Sequence, residues 1–164
     1  MIKQNNGLLQ TPVHGAKQII LIRLMAGGVF FWEGMLKFVY PNQGVGRFTK
    51  LGFPLPDVLA HCIGVAEIVG GLFLLFGLFT RITSLYFIAQ MLVAVFTTKV
   101  ALYLGTSPLP LPPSPPQVGF WAVLHEIRSD YAQIMCCLFL FLCGPGIWSL
   151  DTRRVMRKMK RGGA

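Results

Sequence analysis

Of the six acidic residues in this chain, two, Glu33 and Glu67, stand inside long apolar runs, with basic and polar residues at spacings that could answer them. Lys37 follows Glu33 by four positions, the separation that puts both side chains on one helical face. Glu67 lies in Gly64-Val65-Ala66-Glu67-Ile68-Val69-Gly70-Gly71, a lone carboxylate among small residues. Ionisable groups in such runs are costly, face protein or a wet cavity, and mark proton relays and ligand sites. Glu67 is therefore the residue expected to exchange protons near neutral pH. With His61 earlier in the same run and Asp130 and Gln133 around the start of the last one, Glu33, Lys37, His61, Glu67, Asp130 and Gln133 make up a candidate proton-carrying or quinone headgroup site. A structural reading accounts for much the same set: Arg23, Glu33 and Glu67 would form a bundle ion-pair network that fixes helix order. The spacing alone leaves both readings open.

The elements that must position these residues are apolar stretches at about 18–39, 58–79, 82–104 and 131–150, each near the roughly 20 residues needed to cross a hydrocarbon core. The composition agrees with that scale: the 164 residues are 54% apolar and 13% charged, with mean hydropathy +0.60. The expected fold is all-α, an integral membrane four-helix bundle. At about 100° per residue, each stretch has one small or polar face. Arg23, Gly27, Phe30, Glu33, Gly34 and Lys37 share a face in the first; Ala60, Gly64, Glu67 and Gly71 in the second. Thr83, Gln90, Ala94, Thr97 and Ala101 line up in the third, and Asp130, Gln133, Cys137 and Gly144 in the fourth. Small faces allow close helix approach, and four of them closing together predict a bundle with a polar axis.

The net charge of +9 raises the question of nucleic acid, but six of the fifteen basic residues fall between Arg153 and Arg161. That clustering predicts a basic cytoplasmic tail over 152–164, able to touch anionic headgroups, and no nucleic-acid partner. With a cytoplasmic N-terminal segment over 1–17, nine Lys and Arg fall inside and five outside, which predicts an N-in, C-in topology in an inner (plasma) membrane. The proline run 107–116 lies in an outer loop, 105–119, that cannot be helical and is expected to be an extended, solvated spacer rather than a docking strip. Phe120, Trp121 and His125 follow as an amphipathic lead-in. Cys62, Cys136, Cys137 and Cys143 have no CxxC spacing, which argues against a disulfide framework, thiol exchange or a metal site; a Cys62–Cys136 pairing is the minor alternative.

Taken in order, several segments resemble the DoxX family of small four-helix membrane proteins. They are Arg23-Leu24 with Gly28, Glu33-Gly34-Met35-Leu36-Lys37-Phe38, Gly52-Phe53-Pro54-Leu55-Pro56, the Gly64–Gly71 segment, Gly77-Leu78-Phe79-Thr80-Arg81, and Gly144-Pro145-Gly146-Ile147-Trp148-Ser149-Leu150-Asp151. The resemblance covers about Ile22 to Asp151. The chain has Thr97-Thr98-Lys99 where family members often carry a histidine, Asp130 as its candidate for the acid that opens the fourth helix, and the proline run as an apparent insertion.

The resemblance implies the fold, and with it a membrane subunit of a quinone-linked redox system concerned with sulfur, thiols or oxidative stress. No motif for a bound cofactor accompanies it, so a quinone and a partner protein carrying the electron-transferring group are expected, and the chain would be at most a non-autonomous subunit of an oxidoreductase. The alternatives are a non-catalytic assembly or stabilising factor for another membrane protein and, third, a small-solute or proton conduit. The lipid bilayer is the expected surrounding, and a homo-oligomer is left open.

Overall fold

The computed structural model describes residues 16–162 and is helical, with no strand among the described residues. Most of the expected N-terminal segment 1–17, Lys3 included, lies outside them. The elements are α1 (Ile19–Val39), α2 (Val45–Lys50), α3 (Pro56–Phe76), α4 (Thr80–Leu104), α5 (Phe120–Glu126), α6 (Arg128–Cys143) and α7 (Leu150–Gly162). Local chemistry sets their ends. Pro56 opens α3, where its missing N–H costs nothing. Gly77 closes α3 at φ +67°, with Gly77 N–H donating to Leu74 O at 3.1 Å and Leu78 N–H to Phe73 O at 2.8 Å. Gly105 closes α4 the same way.

Helices α1, α3, α4 and α6 form a closed ring in which α1 packs most intimately on α3, and α4 on α6. The α1–α3 contact is backbone to backbone. A Cβ added at Gly27 would fall 2.8 Å from Gly71 O, and one at Gly34 would fall 2.8 Å from Gly64 O. Phe30 of α1 then stacks on Phe87 of α4 with centroids 3.6 Å apart, and Phe87 in turn fills the space left by Gly70. The apolar side chains on the outside of the ring, Leu21, Trp32, Val65, Phe96 and Leu142 among them, are exposed, as suits a surface whose solvent is lipid.

Three of the helices, α1, α3 and α4, are long and apolar enough to cross a membrane. The fourth expected span departs from its prediction. It starts earlier and stops at Cys143, so α6 has 16 residues, about 24 Å at the usual rise per residue. Gly144 and Gly146, at φ +81° and +76°, flank Pro145 and end the helix within the apolar run. The basic tail follows as α7, and Asp151 in its first turn accepts from the backbone N–H groups of Phe79 and Thr80, both at 3.1 Å, capping α4 from a distance. Two further features went unforeseen or differ. The six-residue α2 buries Phe48 against Phe53 in what reads as plain loop. The proline segment is non-helical as expected but folds back on the bundle, with Pro112 buried.

At the end of the ring where α1 begins and α3 finishes, Arg23 is 2% exposed. It does not pair with Glu33 or Glu67 as the ion-pair reading expects. Its Nε donates to Leu74 O at 2.9 Å and its Nη2 to Leu75 O at 2.5 Å, while Nη1 donates to Trp148 O at 2.7 Å and Pro145 O at 3.2 Å. The first two are carbonyls of the last turn of α3, Leu75 O left over there and Leu74 O shared with Gly77 N–H, so one guanidinium caps α3 and ties it to the turn after α6. Gly77 permits this, because a Cβ there would lie 2.7 Å from Arg23 Cζ.

Replacing Arg23 by Met strands Leu75 O, Pro145 O and Trp148 O, while Leu74 O keeps the Gly77 N–H, at about 1–3 kcal/mol for each buried group left unpaired. We expect a large fall in the thermal midpoint of the detergent-solubilised protein, with Arg23→Lys recovering only part of it, since an ammonium lacks the planar fork. In the same assay Gly71→Ala, whose Cβ would meet Phe31 N at 2.7 Å, should destabilise by about 1–3 kcal/mol. Gly28→Ala, with nothing within 4 Å, should be neutral or stabilising.

Candidate functional site

Glu67 occupies the middle of α3, on the glycine face that meets α1, and is 3% exposed. Burial of a carboxylate there demands donors, and two neighbouring helices supply them. Lys37, in the last turn of α1, places Nζ 2.5 Å from Glu67 Oε2 and also donates to Glu33 O at 3.4 Å. Gln90 of α4 donates from Nε2 to Glu67 Oε1 at 2.5 Å. Both carboxylate oxygens are thus held, each from a different helix, and Lys37 balances the charge. Lys37 can reach because Gly64 leaves room: a Cβ at Gly64 would lie 3.5 Å from Lys37 Cβ and closer still to Phe38.

Some polar capacity inside the ring is unused, one atom of it on Gln90 itself. Gln90 Oε1 and Gln133 Oε1 are buried without a hydrogen-bond partner, as is Ser84 Oγ. Buried acceptors are seldom left so, and an amide oxygen is satisfied by any group that donates, such as a water or a ligand hydroxyl. Gln133 reaches this state from α6, where it is 5% exposed.

The remaining expected site residues lie elsewhere. Glu33 is exposed on α1, and Lys37 turns from its carboxylate to that of Glu67 across the helix interface. His61 is exposed near the start of α3, with Nδ1 2.7 Å from Asp57 O and 3.4 Å from Asp57 Oδ1, and an edge contact to Phe38. Asp130 pairs with Lys99 at 3.5 Å and so joins α6 to α4. Gln90 is the site residue that the sequence reading placed on the polar face of its helix without singling out. The available signal was that it is the one carboxamide in α4. All four cysteines are free; Cys136 Sγ sits 3.7 Å from Met25 Sδ, and Cys62 is exposed on α3. Among the described residues no three His, Cys, Asp or Glu side chains converge.

Residues 18–100 match the model of the DoxX family, a stretch that runs from α1 through most of α4 and holds Lys37, Glu67 and Gln90. The chain is 37% identical over 156 residues to "Uncharacterized membrane protein Rv3486" of Mycobacterium tuberculosis, covering 92% of this chain and 88% of the relative. It is 33% identical over 133 residues to "Putative oxidoreductase CatD" of Bacillus subtilis, covering 80% and 83%. No solved structure matches.

The Lys37–Glu67 pair makes a thermodynamic prediction of its own. Removing one member of a buried pair leaves an uncompensated charge at about 3–5 kcal/mol, whereas removing both is often close to neutral. Lys37→Met should therefore lower the thermal midpoint more than the double variant Lys37→Met/Glu67→Gln does, and a double-mutant cycle on detergent-solubilised protein measures the difference.

Proposed function

The chain belongs to the DoxX family, and from that premise we propose that it serves as the membrane subunit of a quinone-linked redox system, with its site at Lys37, Glu67 and Gln90. In this reading the chain lies N-in and C-in in the plasma (inner) membrane, and a partner protein carries the electron-transferring cofactor. The observation that carries the proposal is a carboxylate buried where three helices meet, held by an amide, Gln90, whose own oxygen has no donor. A redox relative supports it only by name, as an oxidoreductase.

The unsatisfied amide oxygen suits the hydroxyl of a reduced, quinol headgroup. A quinone, when bound, supplies the electron and proton chemistry of the couple. For the chain itself, Gln90 Oε1 would accept from a hydroxyl of the reduced headgroup, and Glu67 would hold or take up a proton at a carboxylate oxygen. Lys37, with Nζ 2.5 Å from Glu67 Oε2, stands where it balances the ionised carboxylate. The apolar walls of the ring keep bulk water from the exchange.

One feature favours a second reading. The pair is already closed and neutral, as a purely structural clamp would be, which fits a stabilising factor that docks another membrane protein. Purified protein titrated with ubiquinone and menaquinone analogues separates the two. Saturable binding that weakens at least about tenfold, roughly 1.4 kcal/mol, in Glu67→Gln and Gln90→Leu while the fold is retained supports the redox site. No binding to the native protein removes it and leaves the clamp. Crosslinking with identification of the partner then tells a flavin, haem or iron–sulfur protein from a transporter or envelope factor.

A further inference from the structure

Toward the end of the ring where α1 finishes and α4 ends, a cavity of about 230 Å³ lies between α2, the last turns of α4, the proline segment and the end of α5. Its walls come from parts of the chain that the quinone reading does not use. Thr98 and Leu102, both buried, form its α4 side. The proline segment covers it through Leu109, Pro110 and Pro112, fixed by Ser107 Oγ accepting from Leu109 N–H at 3.2 Å and by Gln117 Nε2 donating to Pro112 O at 3.2 Å.

The charge in this cavity is unbalanced. Arg47 and Lys50 enter from α2 and Lys99 from α4, while Glu126 is the one acidic side chain in the lining. Lys99 is answered by Asp130. Arg47 and Lys50 form no ion pair among the described residues. Like charges gathered around a recess with low-dielectric walls focus a positive potential into it and raise the local concentration of anions. The donors are of the right kind as well, since guanidinium and ammonium groups make their shortest and strongest hydrogen bonds to oxyanions. Size limits the guest. The volume is below the roughly 300–1,000 Å³ of pockets for drug-sized ligands, which suits an inorganic oxyanion, a short carboxylate or a single phosphate group.

We propose that this covered cavity is a binding site for one small oxyanionic group, with Arg47 and Lys50 as its principal donors and Glu126 as the opposing charge that tunes its affinity. A free anion and the phosphate of a lipid headgroup present the same chemistry, and the two can be told apart. Full-length protein in an uncharged detergent is titrated calorimetrically, at fixed ionic strength, with inorganic phosphate and separately with dihexanoyl phosphatidylglycerol. We expect saturable binding that weakens about tenfold or more in Arg47→Ala/Lys50→Ala and strengthens several-fold in Glu126→Gln. Response to phosphate assigns the site to a free anion, and response to the lipid alone assigns it to a headgroup; either supports the site. No saturable response to either probe overturns it, as does binding that is the same in both variants, whose opposite shifts a general loss of folding cannot reproduce.

Discussion

Helices α1 and α3 touch through their backbones, and most of what is distinctive about this molecule depends on that contact. Gly27 faces Gly71 and Gly34 faces Gly64 at distances that leave no room for a methyl group. In a lipid solvent there is little hydrophobic gain in pressing two apolar helices together, so close packing of small residues has to supply the association. Once the two backbones are this near, the last turn of α1 stands over the middle of α3. A lysine there can then meet a glutamate that would otherwise be buried alone.

The buried charges follow one rule with different solutions. Arg23 is satisfied by four carbonyl oxygens at the turns where α3 and α6 end. Glu67 is satisfied by a cation and an amide from two other helices, and the half-buried Lys99 meets Asp130 across the α4–α6 contact. Each solution joins segments distant in sequence, so the groups that are expensive to bury also set which helices are neighbours. Of these three groups, the Glu67 cluster is the one whose own partner, Gln90, keeps a buried oxygen without a donor among the described residues.

The cap that Asp151 places on α4 extends the same logic beyond the ring. It fixes the start of α7 against the end of α3, so the run of basic residues leaves the bundle as a helix anchored at one end. At the opposite end the proline segment, whose prolines have no N–H to pair, is held through Ser107 and Gln117 and closes over polar and basic side chains of α2 and α4.

Apolar runs, their glycine-rich faces and a lone carboxylate on one of them are written in the sequence, because hydropathy and helical spacing are local properties. That was enough for a helical membrane protein, for α1, α3 and α4 within a few residues, and for Glu67 as a carboxylate facing into the bundle. Partners were not legible. Lys37 has Glu33 four residues away, and only the nearness of α3 sends its long side chain to Glu67. Arg23 looked like half of an ion pair because the sequence does not show where carbonyls are left over. Gln90 gained its role from helix rotation, α6 was shortened by a Gly-Pro-Gly stop inside an apolar run, and the proline segment was turned from spacer to cover by contacts with α4. Composition and period decide which faces must be hidden, while the tertiary structure decides which groups meet there, since meeting depends on distances between segments that no local pattern encodes.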